Sequence, residues 1–170
     1  TIYMAKIDPD DGSLGYYHTY YSEGEKLEGP SYWVNHSTPL PQPRSHMGWA
    51  IYDGRVFLMG GNGSAAGSAG ELDTIIHSRI SVVSSGKTGI WYTSPVTLSE
   101  PRTDISAAVL KKRLYILGGK TANSLKDYVD SYALNPYGLL TNHRKESKLP
   151  APRGRLQVIP NSDQLIAGSG

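Results

Sequence analysis

The sequence predicts an all-β protein, and three observations lead to that fold class. The stretch "LPQPRSHMGWAIYDGRVFLMGG" at 40–61 returns in the same pattern as "LSEPRTDISAAVLKKRLYILGG" at 98–119. Glycine (19), tyrosine (12) and proline (11) are abundant, which is typical of short strands joined by tight turns. No convincing apolar stripe of helical period extends over about ten residues anywhere in the chain. The chain is therefore predicted to consist of repeated strands.

Three Pro-Arg pairs set the register of the repeat, and their arginines are Arg44, Arg102 and Arg153. Gly60 follows Arg44 by 16 positions, and Gly118 follows Arg102 by the same number. The same step from Arg153 reaches Ser169, so "QLIAGSG" is a third copy of "RVFLMGG". The repeats share a double glycine, formed by Gly60, Gly61, Gly118 and Gly119. Fixed spacing in three copies indicates a repeat architecture.

A tryptophan precedes two of these arginines by 11 positions and gives a second match between the copies. These residues are Trp33 and Trp91, and Asn142 stands at the third position. Large indoles at one repeated position are expected to fill the space between repeated units.

Each copy is predicted to hold four strands, a to d, around 46–52, 55–60, 73–82 and 90–96 in the first complete copy. The a–b turns are predicted at Asp53-Gly54, Lys111-Lys112 and Asn161-Ser162. Asp-Gly between two apolar runs is a strong hairpin signal.

A four-stranded unit of about 50 residues, with a double glycine and a later tryptophan, resembles the kelch repeat of β-propellers. "DGSLG" and "LPQPR" resemble segments of prokaryotic kelch-like arrays. The resemblance implies an incomplete propeller ring with strand order cd-abcd-abcd-ab. It divides 1–170 into cd of a shared blade at 1–37, blades at 38–97 and 98–148, and ab of the shared blade at 149–170.

About three blades are fewer than the usual 4–8 that close a propeller. The opening c–d and closing a–b segments are complementary, so we expect other chains or further sequence to complete the ring. The chain starts at Thr1 inside the apolar alternation "TIYMAKI" and stops after "QLIAGSG". This pattern indicates a mature product or a piece of a longer polypeptide.

Composition excludes several classes of function. The chain has no cysteine, which rules out disulfides, thiolate metal sites and cysteine nucleophiles. The net charge is +2, from 17 basic and 15 acidic residues, so nucleic acid is not an expected partner. No apolar run approaches the roughly 20 residues of a membrane-spanning helix.

No motif in the sequence predicts catalysis, a metal or a cofactor. "SSGKTG" at 84–89 resembles a phosphate loop, but Ser81 stands where that motif needs its first glycine, and a strand is predicted to follow. None of the five histidines has the short spacing of a metal pair.

The second residue after each repeated arginine differs between the copies, and these residues are His46, Asp104 and Arg155. The resemblance places them at the start of strand a, near the mouth of the propeller channel. Variation inside a repeated frame suits a binding function, so they are the candidate channel-mouth residues, with solvated strand ends as the alternative interpretation. The arginines of the Pro-Arg pairs are predicted to be structural, because one guanidinium can bond several carbonyls.

Two loops supply further candidates for binding. The insertion between "MAKI" and Trp33 holds Tyr17, Tyr20 and Tyr21, and tyrosine is favoured at recognition surfaces. The alternative interpretation is a solvated hairpin with ordinary strand tyrosines. The loop at 61–72, predicted to be flexible, holds Asn62 and Ser64. Asn62 and Asn35 each begin a glycosylation sequon.

The expected function is a non-enzymatic protein-interaction or assembly module, extracellular or on a cell surface. Its partners would be a protein or additional copies that complete the propeller. One alternative is a glycan-binding or carbohydrate-active propeller that uses the channel-mouth residues. A second alternative is a subunit of an extracellular filament or appendage with strand exchange between chains.

Overall fold

A computed structural model of the chain describes residues 3–4, 6–7, 14–15, 34–35, 38–65, 68–80, 88–122 and 124–169. Every helix or strand within these ranges is a β-strand, so the all-β prediction is confirmed. None of the described residues forms a helix that could span a membrane. The chain divides into two units, Thr1–Pro39 with Ile80–Gly89 and Leu40–Arg79 with Ile90–Gly170.

The first unit contains four two-residue strands: β1 (Tyr3–Met4), β2 (Lys6–Ile7), β3 (Leu14–Gly15) and β4 (Val34–Asn35). Strand β1 pairs antiparallel with β4, and β2 pairs antiparallel with β3. Strands β1 and β4 both lie within 1–37, the segment predicted to hold strands c and d of the shared blade. Trp33 and the three candidate tyrosines, Tyr17, Tyr20 and Tyr21, lie outside the described residues.

The second unit contains two four-stranded antiparallel sheets with the predicted a-b-c-d order. Blade one consists of β5 (Gly48–Tyr52), β6 (Arg55–Met59), β9 (Thr74–Arg79) and β10 (Tyr92–Thr97). Blade two consists of β11 (Ser106–Leu110), β12 (Arg113–Leu117), β15 (Val129–Leu134) and β16 (Leu140–Lys145). A third hairpin, β17 (Leu156–Asn161) with β18 (Gln164–Ser169), repeats the first two strands of a blade. The first strands lie side by side, since β11 contacts both β5 and β17.

Two a–b turns lie where the sequence predicts them, and the third, Ser162-Asp163, lies one residue later than predicted because Asn161 still pairs with Gln164. The backbone conformation of the turns explains the residues found there. Asp53, Gly54, Lys111, Lys112 and Ser162 all have positive φ angles, between 47° and 66°. In the first two hairpins both loop residues are left-handed, which matches the right-handed twist of the flanking strands. The predicted Asp-Gly turn therefore has a direct structural cause.

Each b–c connection carries a small hairpin beside the main sheet. These are β7 (Asn62–Ala65) with β8 (Ser68–Glu71), and β13 (Lys120–Thr121) with β14 (Ser124–Leu125). The segment 61–72, predicted as a flexible loop, thus contains a paired hairpin. Its first residue is anchored, because the backbones of Asn62 and Ser45 exchange two hydrogen bonds of 2.7 and 3.0 Å.

The hydrophobic core of the second unit includes residues from both blades. Blade one contributes Ala50, Phe57, Met59 and Ile75, and blade two contributes Leu114, Ile116, Tyr132, Leu134 and Leu140. Leu98 and Ile105, from the segment that joins the two blades, complete the cluster. Apolar blade faces are thus buried together, as in a propeller-type fold.

The double glycine joins each blade to the next Pro-Arg turn. Gly60 has a φ of 58°, and a Cβ built there would lie 2.6 Å from the carbonyl oxygen of Arg102. The amide of Gly61 donates to that same carbonyl at 2.9 Å. Only glycine combines this left-handed backbone with so close an approach of another backbone.

Candidate functional site

The three candidate channel-mouth residues share one backbone geometry. His46, Asp104 and Arg155 have φ angles of 54°, 51° and 57°. The amide of Asp104 donates to the carbonyl of His46 at 2.8 Å, and the amide of Arg155 donates to the carbonyl of Asp104 at 2.8 Å. These positions therefore form a row of backbone hydrogen bonds that links successive blades. The backbone requires the left-handed turn, while the side chain is free to vary.

The side chains of Asp104 and Arg155 meet, and Lys120 joins them. Arg155 Nε lies 3.1 Å from Asp104 Oδ1, and Lys120 Nζ lies 3.2 Å from Oδ2. Burial alone would raise the pKa of Asp104, but the hydrogen bonds and charges of Arg155 and Lys120 outweigh it and lower the pKa. The His46 ring is exposed, and its Nδ1 lies 3.2 Å from Ser45 Oγ.

Sequence reasoning did not identify Lys120, although a signal exists. Lys120 directly follows the second double glycine, as Asn62 follows the first. Both residues bond to the turn that carries a mouth residue, Asn62 through Ser45 and Lys120 through Thr103. Asn62, a predicted binding candidate, therefore pairs with the turn that carries His46. The side chain of Ser64, the other candidate in this loop, lies outside the described residues.

Strands β5, β11 and β17 of the second unit line a groove of about 550 Å³, named the channel groove here after the predicted position of these strands. Trp49 lies in this groove with 62% of its surface exposed, and Ile51 beside it is also exposed. The two alternate along β5 with the buried residues Gly48 and Ala50. An exposed indole on an inner strand provides a flat apolar surface for a ligand.

Two of the three repeated arginines bond groups within the blade that follows them. Arg44 donates from Nη1 to the carbonyls of Gly60 and Thr74 at 3.3 and 3.2 Å. Arg102 is fully buried and donates to the carbonyl of Gly118 at 3.0 Å. The third arginine, Arg153, is exposed.

Blade two contains a buried polar network that the sequence did not reveal. Asp130 is almost fully buried, and its Oδ2 accepts hydrogen bonds from Arg102 Nη2 and from Ser99 Oγ. Its Oδ1 lies 2.8 Å from His143 Nε2, and the His143 ring stacks on Tyr132. Burial is the main cause that raises the pKa of Tyr132, and the negative charge of Asp130 raises it further. This phenol is therefore protonated at neutral pH.

Of the two tryptophans predicted to fill the space between repeated units, Trp91 lies among the described residues and is buried, with 7% of its surface exposed. Asn142, which stands at the third repeat position, is exposed and has a φ of 48°. It lies where the pairing of β15 and β16 shifts register between Ser131 and Ala133. The third repeat position is thus a strand irregularity rather than a site for an indole.

No group of three or more metal-ligating side chains occurs among the residues that the structure describes. His46, Asp104 and Arg155 offer charge and hydrogen bonds. Their carboxylate is already held by two cations.

Comparisons with known proteins agree with the fold. No family model matches the chain. Spermatocyte protein spe-26 of Caenorhabditis elegans is 26% identical over 147 residues, which cover 85% of this chain and 24% of that protein. The solved structure of YjhT has a TM-score of 0.56 at 20% identity, over 76% of this chain and 35% of that chain. The chain therefore spans about a quarter to a third of the proteins it is similar to, and it has an all-β, propeller-type fold.

Proposed function

We propose that this chain is a non-enzymatic protein-interaction or assembly module, and that the third hairpin is its interaction surface. The observation that carries this proposal is the exposure of Ile159 and Ile166, which are 60% and 53% accessible. They face each other across the β17–β18 hairpin. A pair of exposed isoleucines on a two-stranded sheet is a surface that another apolar surface stabilises by covering it.

The repeat shows what kind of surface this pair fits. Ile159 and Ile166 follow Arg153 by 6 and 13 positions, as Ala50 and Phe57 follow Arg44. Ala50 and Phe57 are also a cross-strand pair, and both are buried in the core that blade one shares with blade two. The third hairpin therefore presents the face that, in the first copy of the repeat, packs against the next blade.

The open edge of strand β18 also indicates that the partner is another blade. Strand β6 pairs with β9 and β12 pairs with β15, whereas β18 pairs only with β17 among the described residues. Arg44 and Arg102 each bond an acceptor at or near the start of the third strand of their own blade. Arg153 occupies the equivalent position in the third copy, and its side chain is exposed. The partner is thus a blade that adds a strand along β18 and offers Arg153 a carbonyl or carboxylate.

A non-catalytic role is supported by the state of the two best acidic candidates. Asp104 is held by Arg155 and Lys120, and Asp130 accepts from Arg102 and Ser99. A carboxylate that is saturated by donors is a poor general base. A location outside the cell or on its surface remains a prediction from the cysteine-free composition.

The proposal is tested by sedimentation of the 170-residue chain over a range of concentrations. We expect the chain to self-associate, with copies of itself supplying the missing blade, and the Ile159→Asp variant to remain monomeric. Tyr137→Asp is the matched control, because Tyr137 is an exposed apolar residue in the turn between β15 and β16. Open-ended growth would favour the filament alternative. A wild-type chain that is monomeric at every concentration would contradict the proposal.

A second candidate function, glycan binding in the channel groove, is favoured by one observation. Trp49 is a largely exposed indole inside the groove, whose three strands begin just after His46, Asp104 and Arg155. Aromatic rings that pack against sugar rings, with polar groups at the rim, are a common arrangement in small-molecule sites. Quenching of tryptophan fluorescence by oligosaccharides, lost in Trp49→Ala but not in Trp91→Phe, tests it.

A further inference from the structure

We infer that blade two carries a separate site for a small, neutral, hydroxyl-rich ligand, the size of one sugar ring. The site is a cavity of about 250 Å³ between the start of β15, the end of β16 and the segment that enters blade two. Tyr128 and Asp130 line it from the β15 side, Lys145 and Glu146 from the β16 side, and Ser99 and Glu100 from the entering segment. It is a different place from the channel groove.

The charges of the cavity favour a neutral ligand. Three carboxylates line it, those of Glu100, Asp130 and Glu146. Lys145 and Lys148 also line it, and the lining charges have partners around the cavity: Glu100 pairs with Lys126, Asp130 with the buried Arg102, and Lys148 with Asp127. The charges therefore balance, and a ligand with a net charge gains little from them.

The hydrogen-bonding groups of the cavity suit hydroxyls. Glu146 Oε1 accepts from Ser131 Oγ and Glu100 Oε1 lies 3.3 Å from Lys126 Nζ, so the other oxygen of each carboxylate is the acceptor left for a ligand. Lys145 is a donor that has no ion-pair partner in the described part of the chain. A hydroxyl both donates and accepts, so a polyol can use both kinds of group at once. At about 250 Å³ the cavity lies below the roughly 300–1,000 Å³ typical of sites for drug-sized ligands, so it admits one small ring.

The walls of the cavity are held in place before any ligand arrives. Asp130 is fixed by Arg102 and by Ser99 Oγ at 2.8 Å. Three cations surround the ring of Tyr128: Lys148 Nζ at 5.2 Å, Lys126 Nζ at 5.5 Å and the guanidinium carbon of Arg102 at 5.8 Å from its centroid. A ring held in this way gives the ligand an apolar contact without loss of rotamer freedom.

The repeat frame shows that these residues belong to blade two alone. Ile116 pairs with Asp130, and the equivalent residue Leu58 pairs with Ile76. The amide of Gly118 bonds to Tyr128, and the equivalent Gly60 bonds to Thr74. Blade one has threonine and isoleucine where blade two has tyrosine and aspartate, so the fold does not require the polar pair. Residues that depart from a repeated frame around a cavity indicate a function.

The test is a titration of the ¹⁵N-labelled 170-residue chain with D-glucose, D-galactose and N-acetyl-D-glucosamine, followed by NMR. We expect at least one sugar to shift the amides of 99–100, 128–130 and 145–148 saturably, with a Kd on the order of 1 mM. Lys145→Ala should weaken binding about tenfold by removing one charged hydrogen bond. Thr93→Ala is the matched control, because Thr93 pairs with Ile76 as Lys145 pairs with Asp130.

Four results would overturn the inference. One is the absence of shifts in these segments with every sugar. Another is the same affinity in Lys145→Ala, whose exposed side chain leaves the fold intact. The third is binding of the zwitterion glycine instead of the sugars, which would show that the cavity selects charge. Shifts confined to Trp49 would also exclude this cavity, and would instead support glycan binding in the channel groove.

Discussion

Arg102 and Asp130 form a fully buried ion pair that links the entry of blade two to its third strand. Arg102 Nη2 donates to Asp130 Oδ2, and both side chains have no more than 1% of their surface exposed. Arg102 also donates to the carbonyl of Gly118, so one guanidinium bonds two strands of the same blade. Such a pair stabilises the blade only while both members are present, because a buried charge without its partner is costly.

Replacing Arg102 by alanine is therefore expected to destabilise the protein by about 3–5 kcal/mol. The equivalent Arg153 is exposed, and Arg153→Ala should change the free energy of unfolding by no more than about 0.5 kcal/mol. Urea unfolding of both variants measures the difference. Equal losses in the two variants would show that the buried pair has no special role.

The double glycine gives a second stability prediction. Gly60→Ala should cost about 2–3 kcal/mol, because the new Cβ would strain a left-handed residue and lie 2.6 Å from the carbonyl oxygen of Arg102. Gly70→Ala is the control, since no heavy atom lies within 4 Å of the position its Cβ would take. Thermal unfolding should separate the two variants clearly. If both variants melt together, the close approach of the two backbones is not a constraint.

The two tryptophans of blade one should differ sharply. Trp91 is buried, so Trp91→Ala should lose about 3–5 kcal/mol of stability. Trp49 is mostly exposed, and Trp49→Ala should lose less than about 1 kcal/mol. Chemical unfolding followed by circular dichroism avoids dependence on the deleted fluorophore. A small loss at Trp91 would contradict its assignment to the core.

The sequence predicted the repeated frame well, because that frame is set by local backbone requirements. The turns at Asp53-Gly54 and Lys111-Lys112 need left-handed residues, and their spacing from the Pro-Arg pairs fixes where the strands begin. The structure of the segments around Trp33 remains a prediction.

The candidate site was less predictable, because it depends on which side of a strand meets a neighbouring blade. The exposure of Trp49 and the burial of Asp130 follow from packing between and within blades, which a single strand does not reveal. Lys120 reaches Asp104 only because a hairpin places it there. These contacts join residues that are distant in sequence and differ between the repeats.

Histidine 77 gives the protein a pH dependence of known sign. His77 lies between Phe57 and Tyr92, and burial, followed by the charge of Arg55, lowers its pKa. Folded His77 thus binds a proton less readily than the histidine of the unfolded state, which has a pKa of about 6.5. Neutral His77 contributes fully to the free energy of unfolding above that pH, and this contribution is lost as the pH falls below it.

We therefore expect His77→Phe to lose less stability than the wild type between about pH 7 and pH 5. His46→Gln is the control, because His46 is exposed, and it should keep the wild-type slope. Urea unfolding at a series of pH values gives both slopes. The same slope in His77→Phe as in the wild type would remove His77 as the cause.

The interaction surface on the third hairpin is tested most directly by hydrogen exchange of the amides of β18, measured at low and high protein concentration. We predict that those amides of Gln164–Ser169 that do not bond to β17 become protected as concentration rises, since a strand from a second copy then bonds to the open edge. This gain should vanish in Ile159→Asp, while the amides of β12 exchange alike in all samples. If the amides on the open edge of β18 exchange fast at every protein concentration, the proposed interaction surface is contradicted.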